Sequence, residues 1–298
     1  MIDYKKIFRD REKRLKLIEK LSFIPDVPYL KMVYRIKTGK KLNLDNPKTF
    51  NEKLNWLKLH DIHPEYTDLV DKVKVREVIK EKLGEEYLFP LLGVWDSFDE
   101  IDFDALPDKF VLKCNHDSGS VKVITDKSQI NRQELKKFFD ERLGLNPFVL
   151  GREYPYKNVK PKILAEKYME ARDGKGINDY KFFCFDGKPE IMFVATDRAT
   201  DVRFDFFDMQ FNHLDFVNIH ENADTVPEKP ESFERMIEIA SVLSEGMRFV
   251  RIDLYEIDSK IYFGEFTFFH GGGFYLFKPE EWDRKIGDML DLSNVKGM

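Results

Sequence analysis

Residues 261–273, IYFGEFTFFHGGG, place one carboxylate, Glu265, in a run otherwise built from Phe, Tyr and Ile that closes on three glycines. Burying an unpaired carboxylate costs several kcal/mol, so the run predicts a partner for it. Upstream, VRIDLYEI sets Arg251 and Asp253 two residues apart, on one face of a strand, with Val250, Ile252 and Leu254 on the other. A three-residue connection, Asp258-Ser259-Lys260, would pair Ile257 with Ile261, Asp253 with Glu265 and Arg251 with Thr267. A two-residue connection would send the two carboxylates to opposite faces. Converging carboxylates need a cation between them, and two carboxylates with a hydroxyl or phosphate oxygens suit Mg²⁺. The competing reading is the solvent-facing side of an ordinary hairpin.

Two further stretches could serve a nucleotide. FVLKCNHDSGSVKVI (110–124) delivers Lys113 on a strand and follows it with a small-residue loop whose backbone N–H groups and nearby ammonium suit phosphates. Many hairpins carry Asp-Ser-Gly turns, so this signal is weak alone. KILAEKYMEARDGKGINDYKFF (162–183) runs from a strand into a glycine-containing loop, then into Asp179-Tyr180-Lys181; such a hinge offers backbone groups to a base edge and carboxylates to a ribose. The histidines are less telling: His60 and His63 fall on an expected helix without a third ligand, His116 sits in the loop after Lys113, and His270 adjoins the glycines. No nucleophilic triad is evident, and Cys114 and Cys184 fall in strands as packing residues.

The elements that position these groups change character along the 298 residues. Residues 3–21 and 49–61 have helical periodicity, the latter with Thr49 and Glu52 in a capping-box arrangement, and residues 71–84 form a further helix. From Pro107 short β-rich runs dominate, with helices at 131–143 and 231–246 and links such as FDGKP and EIDSK too short for helical crossovers. This is an α+β pattern of antiparallel hairpins. With 49 Lys+Arg against 54 Asp+Glu, the charge balance recommends neither a nucleic-acid nor an anionic-membrane partner. Two distant cysteines fit a reducing compartment, and neither a signal peptide nor a membrane-spanning run is expected, which together read as a cytoplasmic protein.

In their order along the chain, LNLDNPKTFNEKLNWLKL, DKVKVREVIKEKLGEEYLFPLLGVWD, LPDKFVLKCNHDSGSV, YKFFCFDGKPEI and GEFTFFHGGG resemble the TupA-like ATP-grasp family, bacterial proteins linked to cell-surface polysaccharide and teichuronopeptide and often labelled glycosyltransferases. The resemblance spans about residues 25–290 and implies an ATP-grasp fold: two α+β subdomains clamping ATP over residues 71–298, behind an N-terminal helical region at 1–70. A lid would occupy about 107–168 and a metal-binding hairpin about 248–270. It implies ATP contacts from Lys72, Lys113, Ser118, Gly119, Ser120, Glu166, Lys167, Tyr168, Met169, Asp179 and Lys181, and Mg²⁺ ligation by Asp253, Glu265 and Thr267, the last standing where the family has Asn. Arg251, Arg203 and Arg198 are the candidates for the transferred phosphate. The implied activity is an ATP- and Mg²⁺-dependent carboxylate–amine ligase acting through an acyl phosphate, on a uronic acid or amino acid and an amine acceptor, beside a polysaccharide-assembly complex. A glycosyltransferase would commonly need an Asp-x-Asp motif, which FDFFD (204–208) is not; a catalytically silent nucleotide-binding module is the other alternative.

Overall fold

The computed structural model describes residues 22–170, 177–196 and 201–293; the helix expected at 3–21 lies outside them. Four helices come first: α1 (Asp26–Thr38), α2 (Phe50–His60), α3 (Tyr66–Val70) and α4 (Val75–Lys82). Then follow β1 (Leu91–Trp95), β2 (Phe110–Cys114), β3 (Val121–Ile124), α5 (Arg132–Leu143), α6 (Phe148–Gly151) and β4 (Ile163–Lys167). The remainder comprises β5 (Asp179–Phe185), β6 (Lys188–Thr196), β7 (Arg203–Asp208), β8 (His213–Leu214), β9 (Val217–Asn218), α7 (Phe233–Ser244), β10 (Phe249–Ile257), β11 (Lys260–Thr267), β12 (Phe277–Lys278) and α8 (Glu281–Met289). Strands β1-β4-β2-β3 form a four-stranded antiparallel sheet, and β11-β10-β5-β6-β7-β8 a six-stranded one.

Each sheet buries its own apolar cluster. Phe98, Phe103, Phe110, Leu112 and Phe139 pack α5 on the small sheet. Phe182, Phe193, Phe206, Val250 and Ile252 of the large sheet share one cluster with Phe50, Leu54 and Leu57 of α2 and with Met236, Ile239 and Leu243 of α7. Helix α2 starts where expected, with Thr49 and Glu52 closing a capping box. It ends at His60, so His63 lies beyond it, against Asp61 and Glu65 rather than one turn along from His60.

Helix α2 also carries a polar stripe at i, i+4 and i+7. Asn51, Asn55 and Lys58 are buried and donate to Tyr275 O at 2.8 Å, Gly273 O at 2.8 Å and Gly272 O at 2.7 Å. Gly271, Gly272 and Gly273 all take positive φ; Gly271 O accepts from Phe274 N at 3.3 Å within the turn, and the stripe supplies donors to Gly272 O and Gly273 O.

The β10–β11 hairpin departs from the three-residue connection expected for it. Ile257 pairs with Lys260, leaving a two-residue turn at Asp258 and Ser259, both at positive φ. Leu254 then pairs with Phe263, but Asp253 pairs with Glu265, so Gly264 is an extra, unpaired residue. The bulge cancels the one-residue offset of the shorter turn and returns both carboxylates to one face, with Arg251 opposite Thr267. A Cβ on Gly264 would lie 2.9 Å from Asp253 O and 2.9 Å from the Tyr255 ring. Gly264→Val is therefore expected to destabilise the chain by about 1–3 kcal/mol through overpacking. Denaturant unfolding measures this; unchanged stability would mean that the bulge does not depend on glycine.

Candidate active site

Antiparallel pairing sets Lys181 on β5 opposite Asp253 on β10, which is opposite Glu265 on β11. The neighbouring row of the same face runs Phe183, Arg251, Thr267. Asp253 has no exposed surface. Arg251 Nε donates to its Oδ1 at 2.6 Å and Nη2 to its Oδ2 at 2.7 Å, while Lys181 Nζ donates to Oδ2 and also pairs with Asp179 Oδ2 at 3.1 Å. Burial alone would raise the pKa of Asp253, but Arg251 and Lys181 outweigh it and hold the carboxyl below its ordinary range.

The cation between the two carboxylates is thus Arg251. Its Nη2 also donates to Thr267 Oγ1 at 3.0 Å and to Glu265 Oε1 at 3.3 Å. Its Nη1 lies 3.0 Å from His270 Nδ1, whose Nε2 lies 2.9 Å from Asn218 Oδ1. Because a guanidinium only donates, Nδ1 accepts and Nε2–H donates, which fixes a neutral tautomer. Burial first and then Arg251 push the pKa of His270 well below 6.5, consistent with that tautomer. Asn218 Nδ2 closes the chain on Leu276 O at 3.1 Å.

A cleft of about 190 Å³ opens over Lys181, Asp179 and Glu265 and is walled on the other side by Lys72, Lys113, Ser118 and Gly119. Buried Asn115 holds these walls together: its Nδ2 donates to Asp71 Oδ1 at 2.8 Å, its backbone oxygen accepts from Lys72 N at 3.1 Å, and its Oδ1 accepts from Lys162 N at 2.7 Å. Lys72 Nζ donates to Asp117 O at 2.7 Å and stands 3.9 Å from Glu265 Oε2. Lys113 and Arg76 hold Glu166 at 2.5 and 3.2 Å, so this carboxylate is already neutralised inside the cleft. Phe89, Leu88, Val121 and Phe263 add an apolar side.

Not every expected residue reaches the cleft. Ser120 is buried with its hydroxyl donated to Asp117, and Lys167, Tyr168 and Met169 are not among the cleft-lining residues. Arg203 begins β7, three strands from β10, and pairs with Asp201 at 2.5 Å; Arg198 lies outside the described residues. His116 is buried, its Nε2 within 3.2 Å of Arg142 O and 3.1 Å of Leu145 O, and so turns away from the phosphate-loop position expected for it. Asp205 of FDFFD bonds His213, and Asp208 caps a turn through Gln210 and Asn212. Cys114 and Cys184 are buried, with thiols pushed up by burial to about 12. Among the described residues no group of three or more His, Cys, Asp or Glu side chains forms a metal cage, and no helix is long and apolar enough to cross a membrane.

A second, larger cavity of about 650 Å³ meets the first at Glu265 and Ser118, which line both. Arg251 and Thr267 face it from the strands, and Tyr29, Met32, Tyr156, Phe269 and Phe274 give it apolar walls. Helix α1 is fixed as one wall by buried Arg152, which donates to Ile24 O at 3.2 Å and stacks over the Tyr29 ring at 4.2 Å. Glu153 and Tyr156 of this wall and Arg76 of the cleft were not singled out from the sequence. REYPYKNVKPK has neither a helical nor a strand period, and Arg76 reads as one more surface charge of a helix.

Residues 52–291 match the protein family described as TupA-like ATPgrasp. No curated protein matches the chain. Among solved structures, D-alanine–D-alanine ligase from Bacillus anthracis complexed with ATP aligns at 18% identity over 67% of this chain and 53% of its own, with a TM-score of 0.38. The ATP-grasp ligase PsnB complexed with minimal precursor aligns at 9% identity over 76% and 62%, with a TM-score of 0.41. D-alanine–D-alanine ligase from Helicobacter pylori aligns at 13% identity over 74% and 56%, with a TM-score of 0.36. The chain therefore spans between half and two-thirds of the length of these proteins.

The His270 relay predicts a pH dependence of stability. Its folded pKa is depressed, so above about 6.5 its contribution is fully present, and below that value the unfolded side chain gains a proton that the folded one refuses. The loss approaches about 1.4 kcal/mol per pH unit. Gln can accept from Arg251 and donate to Asn218 without titrating. Thermal unfolding between pH 7 and 5 should fall less steeply in His270→Gln than in the parent; equal slopes would refute the neutral relay.

Proposed function

The chain belongs to the TupA-like ATP-grasp family, and from that premise we propose that it is an ATP- and Mg²⁺-dependent carboxylate–amine ligase acting in cell-surface polysaccharide assembly. The observation that carries the reading is the meeting of the two cavities at Glu265, with cations on both sides of it. On the cleft side, Lys72, Lys113 and Lys181 supply three ammonium groups near the small-residue loop at Ser118 and Gly119. A triphosphate needs this combination of positive charge and backbone N–H groups, and the apolar side at Phe89, Leu88 and Val121 suits a planar base. On the other side, Arg251 and Thr267 open into a cavity large enough for an acid and its amine partner.

The donor set fits a metal that arrives with the nucleotide. Mg²⁺ is commonly held by one or two carboxylates plus phosphate oxygens, and Glu265, its side chain 28% exposed, offers such a carboxylate at the cleft rim with Asp253 behind it. Asp253, Glu265 and Thr267 are the residues that would hold it, and when bound it would neutralise charge on the phosphates. Asp253 spends its oxygens on Arg251 and Lys181, so its contribution requires one of those cations to turn toward the phosphate.

In this reading Lys72 and Lys113 grip the phosphates. Lys113 leaves Glu166 to do so, and Arg76 remains to neutralise that carboxylate. Arg251, locked by Asp253 and His270, presents its guanidinium toward the carboxylate substrate and the phosphoryl group passing to it. Lys181, Lys72 and Arg251 then stabilise the charge that develops as the acyl phosphate forms, which is positioning and electrostatics rather than nucleophilic catalysis by the chain. Such a step needs no nucleophile from the chain. A uronic acid or amino acid is the acid this reading favours, from family membership.

ADP release in the presence of panels of uronic acids, amino acids and amines tests the proposal. Release should require both an acid and an amine, and Glu265→Ala should lower turnover by roughly a hundredfold or more. Lys113→Ala should weaken Mg·ATP binding by about tenfold, the effect of losing one charge-assisted contact. Absence of nucleotide binding, together with undiminished activity in Glu265→Ala, would refute it.

A further inference from the structure

The larger cavity contains a carboxylate that the ligase reading does not use. Glu153 lines it, half-buried, at the foot of the wall formed by residues 150–156. Two glycines make room for the carboxylate: a Cβ on Gly151 would lie 2.6 Å from its Oε1, and one on Gly272 3.3 Å. Burial raises its pKa, and Lys58 is the one charge acting against that rise. Lys58, however, is directed elsewhere. Its Nζ donates to Gly272 O at 2.7 Å and Asn55 Oδ1 at 3.2 Å and stands 4.2 Å over the Phe274 ring, and burial pushes it down to about 7. Glu153 therefore keeps hydrogen-bonding capacity that Lys58 does not fill, in a cavity whose other cations are Arg251 and, over the Phe274 and Tyr275 rings, Lys37.

Its position relates it to the reacting centre. Tyr156 lies three residues on, at the end of the short helical turn Tyr154–Tyr156, and lines the same cavity. Burial foremost, then the charges of Glu265, Glu153, Arg251 and Asp253, act on its phenol, which lies within electrostatic range of both the strand cluster and Glu153. An anionic acid would be drawn to the Arg251 end and repelled from the Glu153 end. A cation is the ligand that suits the latter, and the rings of Tyr29, Phe269 and Phe274 add apolar contacts for its body.

Resting on the ligase reading, we propose that this cavity is the amine site and that Glu153 is a catalytic carboxylate, binding the acceptor as a primary ammonium ion and taking its proton. The proton passes from R–NH₃⁺ to the Glu153 carboxylate, leaving R–NH₂ and a carboxylic acid. The nitrogen lone pair then attacks the carbonyl carbon of the acyl phosphate, the C–N bond forms, the C–O bond to phosphorus breaks, and the leaving phosphate takes the second N–H proton. A protein carboxyl whose affinity for a proton is raised by burial is suited to the first step, since a general base works best near the operating pH.

The test uses the full chain saturated with Mg²⁺ and the non-hydrolysable analogue AMP-PNP. Cyclohexylamine and glucosamine are compared with cyclohexanol and glucose by ligand-observed NMR titration. In the parent at least one amine should bind about tenfold more tightly than its alcohol, the scale of one charge-assisted contact. Glu153→Gln should bring that ratio close to one without changing AMP-PNP affinity, which also reports that the variant is folded. Glu153→Asp, which keeps the charge but withdraws it, should give an intermediate ratio. Amine preference that survives in Glu153→Gln, or its absence from the parent while AMP-PNP binds, would overturn the assignment. Failure of the parent to bind AMP-PNP would overturn the ligase reading, and this inference with it.

Discussion

A carboxylate with no exposed surface must be neutralised where it lies, and Asp253 is neutralised by two cations whose positions the sheet fixes. Lys181 comes from β5 and Arg251 from the same strand two residues back, so pairing of β10 with β5 is also pairing of charge with charge. Breaking such a buried set by removing one partner typically costs about 3–5 kcal/mol, far more than an exposed pair would. The rest of the site is arranged around that constraint. Arg251 is too strongly held to wander, and His270 and Asn218 hold it from behind, leaving Nη2 to reach Glu265 and Thr267 at the cavity edge. Glu265 can remain partly exposed because the buried charge has its compensation already.

Much of this arrangement was legible in the sequence. Alternation placed Arg251 with Asp253 and Glu265 with Thr267, and the capping box and the strand-like runs were local signals that tertiary packing left intact. The turn length was not legible. Asp258-Ser259 and Asp258-Ser259-Lys260 are both acceptable connections, and an alternation argument assumes an unbroken ladder. Gly264 broke it. A glycine flanked by Phe263 and Glu265 inside a strand is a recognised sign of a bulge, and had it been counted, the two-residue turn would have required the same pairing.

Other parts were hidden for a different reason: they depend on long-range partners. Asn51, Asn55 and Lys58 sit on α2 at spacings that look like a solvated stripe, and nothing local reveals that two carbonyls of a glycine turn and that of Tyr275, more than 200 residues away, need donors. Asn115 joins Asp71 and Lys162, each about 45 residues distant. Glu153 lies in a segment with no periodicity at all. Conversely, Arg203 satisfied the sequence argument only by being an arginine; pairing β7 outside β6 carries it away from the cluster.

In the proposed reading the two cavities divide the work, and the end of β11 at Glu265 and the loop at Ser118 border both. A phosphoryl group in transfer must touch cations throughout its path while water is kept out, and in a single open groove the same cations would be hydrated and weakened. In the ligase reading the narrow cleft gathers ammonium groups for the phosphates with Phe89, Leu88 and Val121 on its apolar side, while the wide cavity sets Arg251 and Thr267 among aromatic walls. Glu265 lines both volumes. Strand β11 is the edge of the large sheet, and the bulge at Gly264 alters the local twist at the residue before Glu265. A carboxylate in an apolar run, an edge strand and a glycine bulge are thus one solution to one problem: presenting a charge at the border of two cavities while its neighbours Phe263 and Phe266 stay in the core.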